Sequence, residues 1–199
     1  MKLRDLPSDE IGHALGRSGL ILRVGPFTVA AHSRLREFRA ALPLLYGGFT
    51  VPGPSEVVDI RVEIRGRRSF PAPWRRRAES LVNGRRSAAA QDRQLAPLLF
   101  EWGFNLWVGT RAHRYLILHA AVLERDGRAL ILPAPPGSGK STLAAGLALG
   151  GWRLLSDEIC LLRPEDGLAI PLPRPVALKR ESIEIIRRFG GDPPMGPLM

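Results

Sequence analysis

Leu130-Ile131-Leu132-Pro133-Ala134-Pro135-Pro136-Gly137-Ser138-Gly139-Lys140-Ser141-Thr142-Leu143-Ala144 is the stretch that decides how this chain is read. An apolar run enters a proline- and glycine-rich turn and leaves it as a helical pattern, with Leu143, Ala144, Leu147 and Ala148 at helical spacing. Strand, loop and helix are therefore expected in that order. Glycines let such a loop turn successive backbone N–H groups toward one point, and the helix that begins there adds its partial positive end. Lys140 supplies a full positive charge, and the Ser141 hydroxyl is an oxygen donor of the kind Mg²⁺ takes. Pro136, Gly137, Ser138, Gly139, Lys140, Ser141 and Thr142 are accordingly the candidate binding residues for the phosphates of ATP. The general pattern opens on glycine, where this chain has Ala134.

The flanks sharpen the reading. Upstream, residues 116–123 and 129–132 are apolar runs joined by Arg125-Asp126-Gly127-Arg128, and Asp-Gly between apolar runs signals a hairpin. Downstream, Gly150-Gly151 ends the helix, and residues 152–162 read as a strand interrupted by Ser156-Asp157-Glu158. Asp157 follows Ser141 by only sixteen residues, so one short crossover returns two acids to the phosphate loop. Adjacent acids can divide two tasks, one holding Mg²⁺ and the other accepting the proton of an attacking hydroxyl.

Together, His119-Ala120-Ala121, the hairpin, Pro136 through Thr142, and Arg153-Leu154-Leu155-Ser156-Asp157-Glu158 resemble the core of HPr kinase/phosphorylase and its related kinases, the HPr-kinase-related kinase A group. The phosphoenolpyruvate carboxykinases share the compact spacing from loop to acids. The resemblance covers residues 116–162 and implies an α/β fold with a P-loop core that transfers the ATP γ-phosphoryl group to a serine hydroxyl of a protein substrate. It implies catalytic roles for Lys140, for Asp157 as the base and for His119 as the histidine before the loop hairpin, with Ser141 and Glu158 at the metal. The family pattern has two aspartates, so Glu158 is a substitution. Residues 113–199 are then the kinase-like domain and residues 1–112 an α+β lobe of unmatched role. Family cores continue beyond the acidic pair with further strands and a glycine-containing signature loop, whereas this chain ends at Met199. The expectation is an incomplete core, either inactive or completed by assembly into a homo-oligomer, as the hexameric family suggests. Two alternatives stay open: a nucleotide-binding remnant or regulatory module without transfer, and a small-molecule kinase.

Composition sets the frame. The chain has 199 residues, 45% hydrophobic and 24% charged, which excludes the polar composition of disordered chains. A net charge of +10 raises the question of nucleic acid. The arginines are spread out, clustering only at Arg75, Arg76, Arg77 and at Arg85, Arg86, with no nucleic-acid motif beside them. The charge is read as a solvated surface, or one meeting an acidic partner, rather than as nucleic-acid recognition. The charged first ten residues and the lack of any run of roughly 20 apolar residues argue against a secretory signal or membrane span. A lone Cys160, read as a small buried residue, fits a cytoplasmic location.

In the N-terminal half, residues 19–23 and 27–31 are expected to be strands about Gly25-Pro26, with Ser33 capping a helix over 34–46. Residues 57–65 alternate as a half-exposed strand, and 66–90, rich in Arg, Pro and Ser, read as irregular. A helix is expected over 94–108, with Pro97 in its first turn and Trp102, Phe104 and Trp107 packing. Near the C-terminus, 170–178 is broken by prolines, 181–189 is helical, and 190–199 is a Gly/Pro tail.

Overall fold

Gly25-Pro26 turns β1 (Leu20–Val24) directly onto β2 (Phe27–Ser33), with Val24 paired to Phe27. Helix α2 (Arg36–Tyr46) then carries the chain across to β3 (Ile60–Arg68), which lies parallel to β2. This computed structural model describes residues 1–53, 55–68, 74 and 76–190; Arg75 and the tail 191–199 lie outside the described residues. The chain divides into two compact units, Met1–Arg111 and Ala112–Met199, each a mixed α/β structure with a mixed or antiparallel sheet. Among the described residues no helix is long and apolar enough to cross a membrane.

In the first unit the sheet order is β1-β2-β3-β4-β5, with β4 (Arg76–Val82), β5 (Arg85–Arg86) and β6 (Gln91–Asp92) completing it, β6 pairing with β4. Alternation sends Ile60, Val62 and Ile64 inward, where α3 (Ala96–Arg111) lies on β3 and β4 and α1 (Ser8–Gly16) lies by β1 and β2. Aromatic rings fill the space between helices: Phe100 meets Phe38 at 5.5 Å and Tyr46 at 5.6 Å, and Phe27 meets Phe104 and Trp107 at 6.2 and 5.2 Å. Pro97 sits in the first turn of α3, where its missing N–H is not needed. Trp102 departs from the packing expectation, being 41% exposed.

Two readings of this half are corrected. Ser33 is not a helix cap: it closes β2, its hydroxyl donating to the Ile64 carbonyl at 2.7 Å and accepting from the Leu35 amide at 3.1 Å, and Leu35 holds the N-cap position. Nor is 66–90 irregular throughout. Residues 66–68 extend β3 and residues 76–82 form β4, turned at Asn83-Gly84, where both residues have positive φ. The arginines that obscured this pattern are neutralised across the ladder. Glu79, 4% exposed and paired opposite Arg65, takes Arg65, Arg86 and Arg67 at 2.8, 3.0 and 3.5 Å. Burial by itself would raise its pKa, but the Arg65 hydrogen bond and the three guanidinium charges hold the carboxyl below its ordinary value.

The second unit is organised on β7 (Leu116–Arg125), joined to β8 (Arg128–Pro133) through Asp126-Gly127, both at positive φ. On its other edge β7 pairs with β9 (Arg153–Ser156) along one half and with β10 (Ile159–Leu162) along the other; β11 (Ala169–Ile170) adds to β10. Helix α4 (Lys140–Leu149) covers one face, packing Ala144 with Ala121 and Leu123. Ala120, Val122, Leu155 and Cys160 pack together on the other face. Helix α5 (Arg180–Gly190) lies against α4, with Ile183 and Ile186 buried and Thr142 Oγ1 donating to Ser182 Oγ at 2.7 Å. Cys160 is 1% exposed, and burial pushes its thiol up, away from reactivity.

Truncating Phe100, which is 1% exposed between two rings, removes a large buried side chain. Phe100→Ala is expected to destabilise the first unit by about 3–5 kcal/mol, measured as a lower urea midpoint followed by near-ultraviolet circular dichroism.

Candidate phosphate-binding site

β8 and β9 are each antiparallel to β7, so they run in the same direction. β8 ends before the loop opposite Ala120 and β9 ends at Ser156 opposite Val122, so both leave the sheet at the middle of β7, with Asp157 next in the chain. His119 is paired opposite Ile159, just beyond that level. One level of the sheet thus receives the loop, Asp157 and His119 from three different strands.

The loop is shaped by backbone conformation. Gly137 and Gly139 have φ of +84° and +87°, a region that side chains disfavour, while a Cβ on either would meet nothing within 4 Å. The glycines are therefore needed for the turn itself. Gly139 is the N-cap of α4, its carbonyl accepting from the Leu143 amide at 2.9 Å, so Lys140 and Ser141 open the helix with their amides unclaimed by a preceding turn. Residues 136–139 are exposed, and Lys140 Nζ lies 2.8 Å from His119 Nε2. His119 holds the lysine head beside the loop.

Which acid joins them is decided by a bulge. Leu154 lies opposite Leu123 and Ser156 opposite Val122, leaving Leu155 as an extra residue. Leu154 packs on the α4 face, while Leu155 packs on the other face with Val122 and Cys160. One inserted residue inverts the alternation beyond it. Past the bulge the register is kept across the interruption, from Val122↔Ser156 to His119↔Ile159. Asp157 thereby comes to the α4 side, 7% exposed and near enough to Ser141 for that hydroxyl to lower its pKa, whereas Glu158 is exposed.

Asp157 is an acid under opposing influences. Burial raises its pKa most, the Ser141 hydroxyl and the Ala177 amide (3.4 Å to Oδ2) lower it, Glu158 raises it, and the Lys140 charge lowers it; the net direction is upward. Its Oδ1 is buried with no hydrogen-bond partner among the described residues. A buried carboxylate oxygen without a donor, next to a serine hydroxyl, suits a hard cation. Among the described residues no group of three or more His, Cys, Asp and Glu is gathered for a metal. Ser141 and Asp157 would therefore hold Mg²⁺ only with phosphate oxygens completing the shell, its usual manner of binding in nucleotide sites.

The structure brings together Lys140, Ser141, His119 and Asp157. Thr142 is turned to α5 through Ser182, and Pro136, Gly137, Ser138 and Gly139 form the exposed arch. Sequence reasoning missed the contribution of residues 171–178. Leu172 donates its amide to the Leu155 carbonyl and Ala177 reaches Asp157, so this segment runs along the end of β9. Its signal was present: Pro171, Pro173 and Pro175 at every second position suit an extended chain that bonds through one side alone. No protein-family model, curated protein or solved structure matches this chain.

Because burial raises the Asp157 pKa, the folded protein binds its proton more tightly than the unfolded chain does. Asp157 therefore costs stability as pH rises from the unfolded carboxyl value through the raised folded one, and the cost stays in place at neutral pH. Asp157→Asn, without nucleotide or Mg²⁺, is expected to raise the thermal midpoint at pH 7, the gain vanishing near pH 3. Calorimetric scans across that range provide the check.

Proposed function

We propose that this protein is an ATP-dependent P-loop kinase related to HPr kinase, transferring the γ-phosphoryl group to a serine hydroxyl of a protein. The observation that carries the reading is the placing of a buried, proton-seeking Asp157 carboxyl within reach of both the Ser141 hydroxyl and the loop lysine. The loop amides and Lys140 would bind and orient the outer phosphates. Bound Mg²⁺, held by Ser141 and the phosphate oxygens, would supply charge neutralisation on the phosphates and leave Asp157 as the base. Asp157 would take the serine proton as the serine oxygen bonds to the γ-phosphorus and the bond to the β-bridging oxygen breaks, leaving ADP. A carboxyl pKa raised toward the working pH suits that role. His119 would keep the lysine head in place. The partner is a protein bearing the acceptor serine, met in the cytoplasm, and a homo-oligomer fits the related family.

One observation favours a second reading. The Ala177 amide occupies Asp157 Oδ2, and the residue is 7% exposed, so the acid is covered in this state. A module that binds nucleotide without transferring it would keep such a cover.

The test uses ATP·Mg²⁺ titration together with transfer of labelled γ-phosphoryl to serine-containing proteins. Lys140→Ala is expected to weaken ATP binding by about tenfold or more. Asp157→Asn should keep ATP binding and lose transfer by about 10²–10⁴-fold. ATP binding with no transfer by the wild type would sink the kinase reading and leave the binding module; no ATP binding would sink both.

A further inference from the structure

The first unit carries a cavity of about 590 Å³ that the nucleotide site does not use. It opens beside the carboxyl end of β2, between the end of α1 and the middle of β3. Its size is in the range of small-molecule sites, about 300–1,000 Å³. Leu15, Leu35, Ile64 and Leu81 line it and are all buried, which gives it an apolar floor. Its walls carry Arg34, Arg61, Arg65, His32 and Glu63.

These charges are not equivalent. Arg65 is committed to Glu79 at 2.8 Å. Arg34 and Arg61 are exposed and have no ion pair among the described residues. Arg61 approaches from β3 and Arg34 from the turn between β2 and α2, so two guanidinium groups on separate elements face one hollow. His32, on β2, lines the same hollow. It is paired in register opposite Glu63, and its ring packs so tightly over Gly19 that a side chain there would collide with it. Burial, and then the charge of Arg61, lower the His32 pKa below its ordinary value, with Glu63 opposing. The imidazole is thus neutral at pH 7 and offers a directed hydrogen bond rather than a third charge.

We propose that this cavity binds a small molecule bearing a phosphate or carboxylate group, its anionic end held by Arg34 and Arg61 and its short apolar body on the leucine floor. Guanidinium groups match both anions through paired N–H donors. Convergent polar groups over an apolar floor are what ligand pockets carry. This site is independent of the nucleotide reading, since every residue lining it belongs to the first unit.

The experiment titrates the full chain calorimetrically with two probes, pyrophosphate and glutarate, in three proteins that all carry Lys140→Ala, so that the loop lysine does not take the anion: Lys140→Ala alone, with Arg34→Gln and with Arg61→Gln. The expected result is saturable binding of at least one probe by the Lys140→Ala protein, weakened about tenfold by either added arginine substitution. Preference between the probes tells phosphate from carboxylate. Circular dichroism of the two arginine variants checks that these exposed substitutions leave the fold intact, and Arg61→Lys, which keeps the charge without the fork, is expected to recover binding only in part. The proposal is overturned if neither probe binds the Lys140→Ala protein saturably, or if the folded proteins with Arg34→Gln or Arg61→Gln added bind as Lys140→Ala alone does.

Discussion

β7 is hydrogen-bonded along both edges, to β8 on one side and to β9 and β10 on the other. A strand with both ladders filled cannot slide without breaking backbone pairs on two fronts and sending its apolar residues to the wrong face. Everything at the candidate site is tied to that strand. Because β8 and β9 flank it in the same direction, the loop that leaves one and the acid that follows the other meet at the same level. Small residues complete the arrangement: Ala121 on β7 and Ala144 on α4 let the helix settle close to the sheet, which brings Lys140 and Ser141 down to the level of Asp157.

Among the described residues, two acidic side chains are buried, Glu79 and Asp157, and their surroundings push them in opposite directions. Glu79 is shielded by Arg65, Arg67 and Arg86 and is held below its ordinary pKa, so its charge is matched and its work is to let an arginine-rich hairpin lie flat. Asp157 has one amide, one hydroxyl and a more distant lysine against its burial, and its pKa rises. A matched buried charge supports structure. A mismatched one, set beside a phosphate-type loop, is an acid waiting for a partner, and perturbed groups of that kind gather at functional sites.

The segment 171–178 links these themes. Its prolines keep it extended, its free amides bond the end of β9 and Asp157, and α5 then lies on α4. The stretch therefore covers the acid and leads into the helix that packs on α4. A cation or phosphate arriving at Asp157 would compete with a single 3.4 Å amide contact, a weak bond by ordinary criteria.

Much of the second unit was legible from the residues alone. Asp126-Gly127 announced its hairpin, the run from Ala134 to Thr142 announced strand, loop and helix, and the break at Ser156-Asp157-Glu158 announced an interrupted strand. Each is a local property, set by which backbone angles a few neighbouring residues prefer. In the first unit the same kind of signal, Asn83-Gly84, was masked by the arginines around it, whose neutralisation by Glu79 depends on a strand partner. What only the tertiary structure decided is which acid serves the loop. Asp157 and Glu158 are neighbours of like chemistry, and their facing depends on the extra residue Leu155 in a ladder with β7, some thirty positions earlier in the chain. Parity along a strand is set by its partner, and no property of the residues themselves records it.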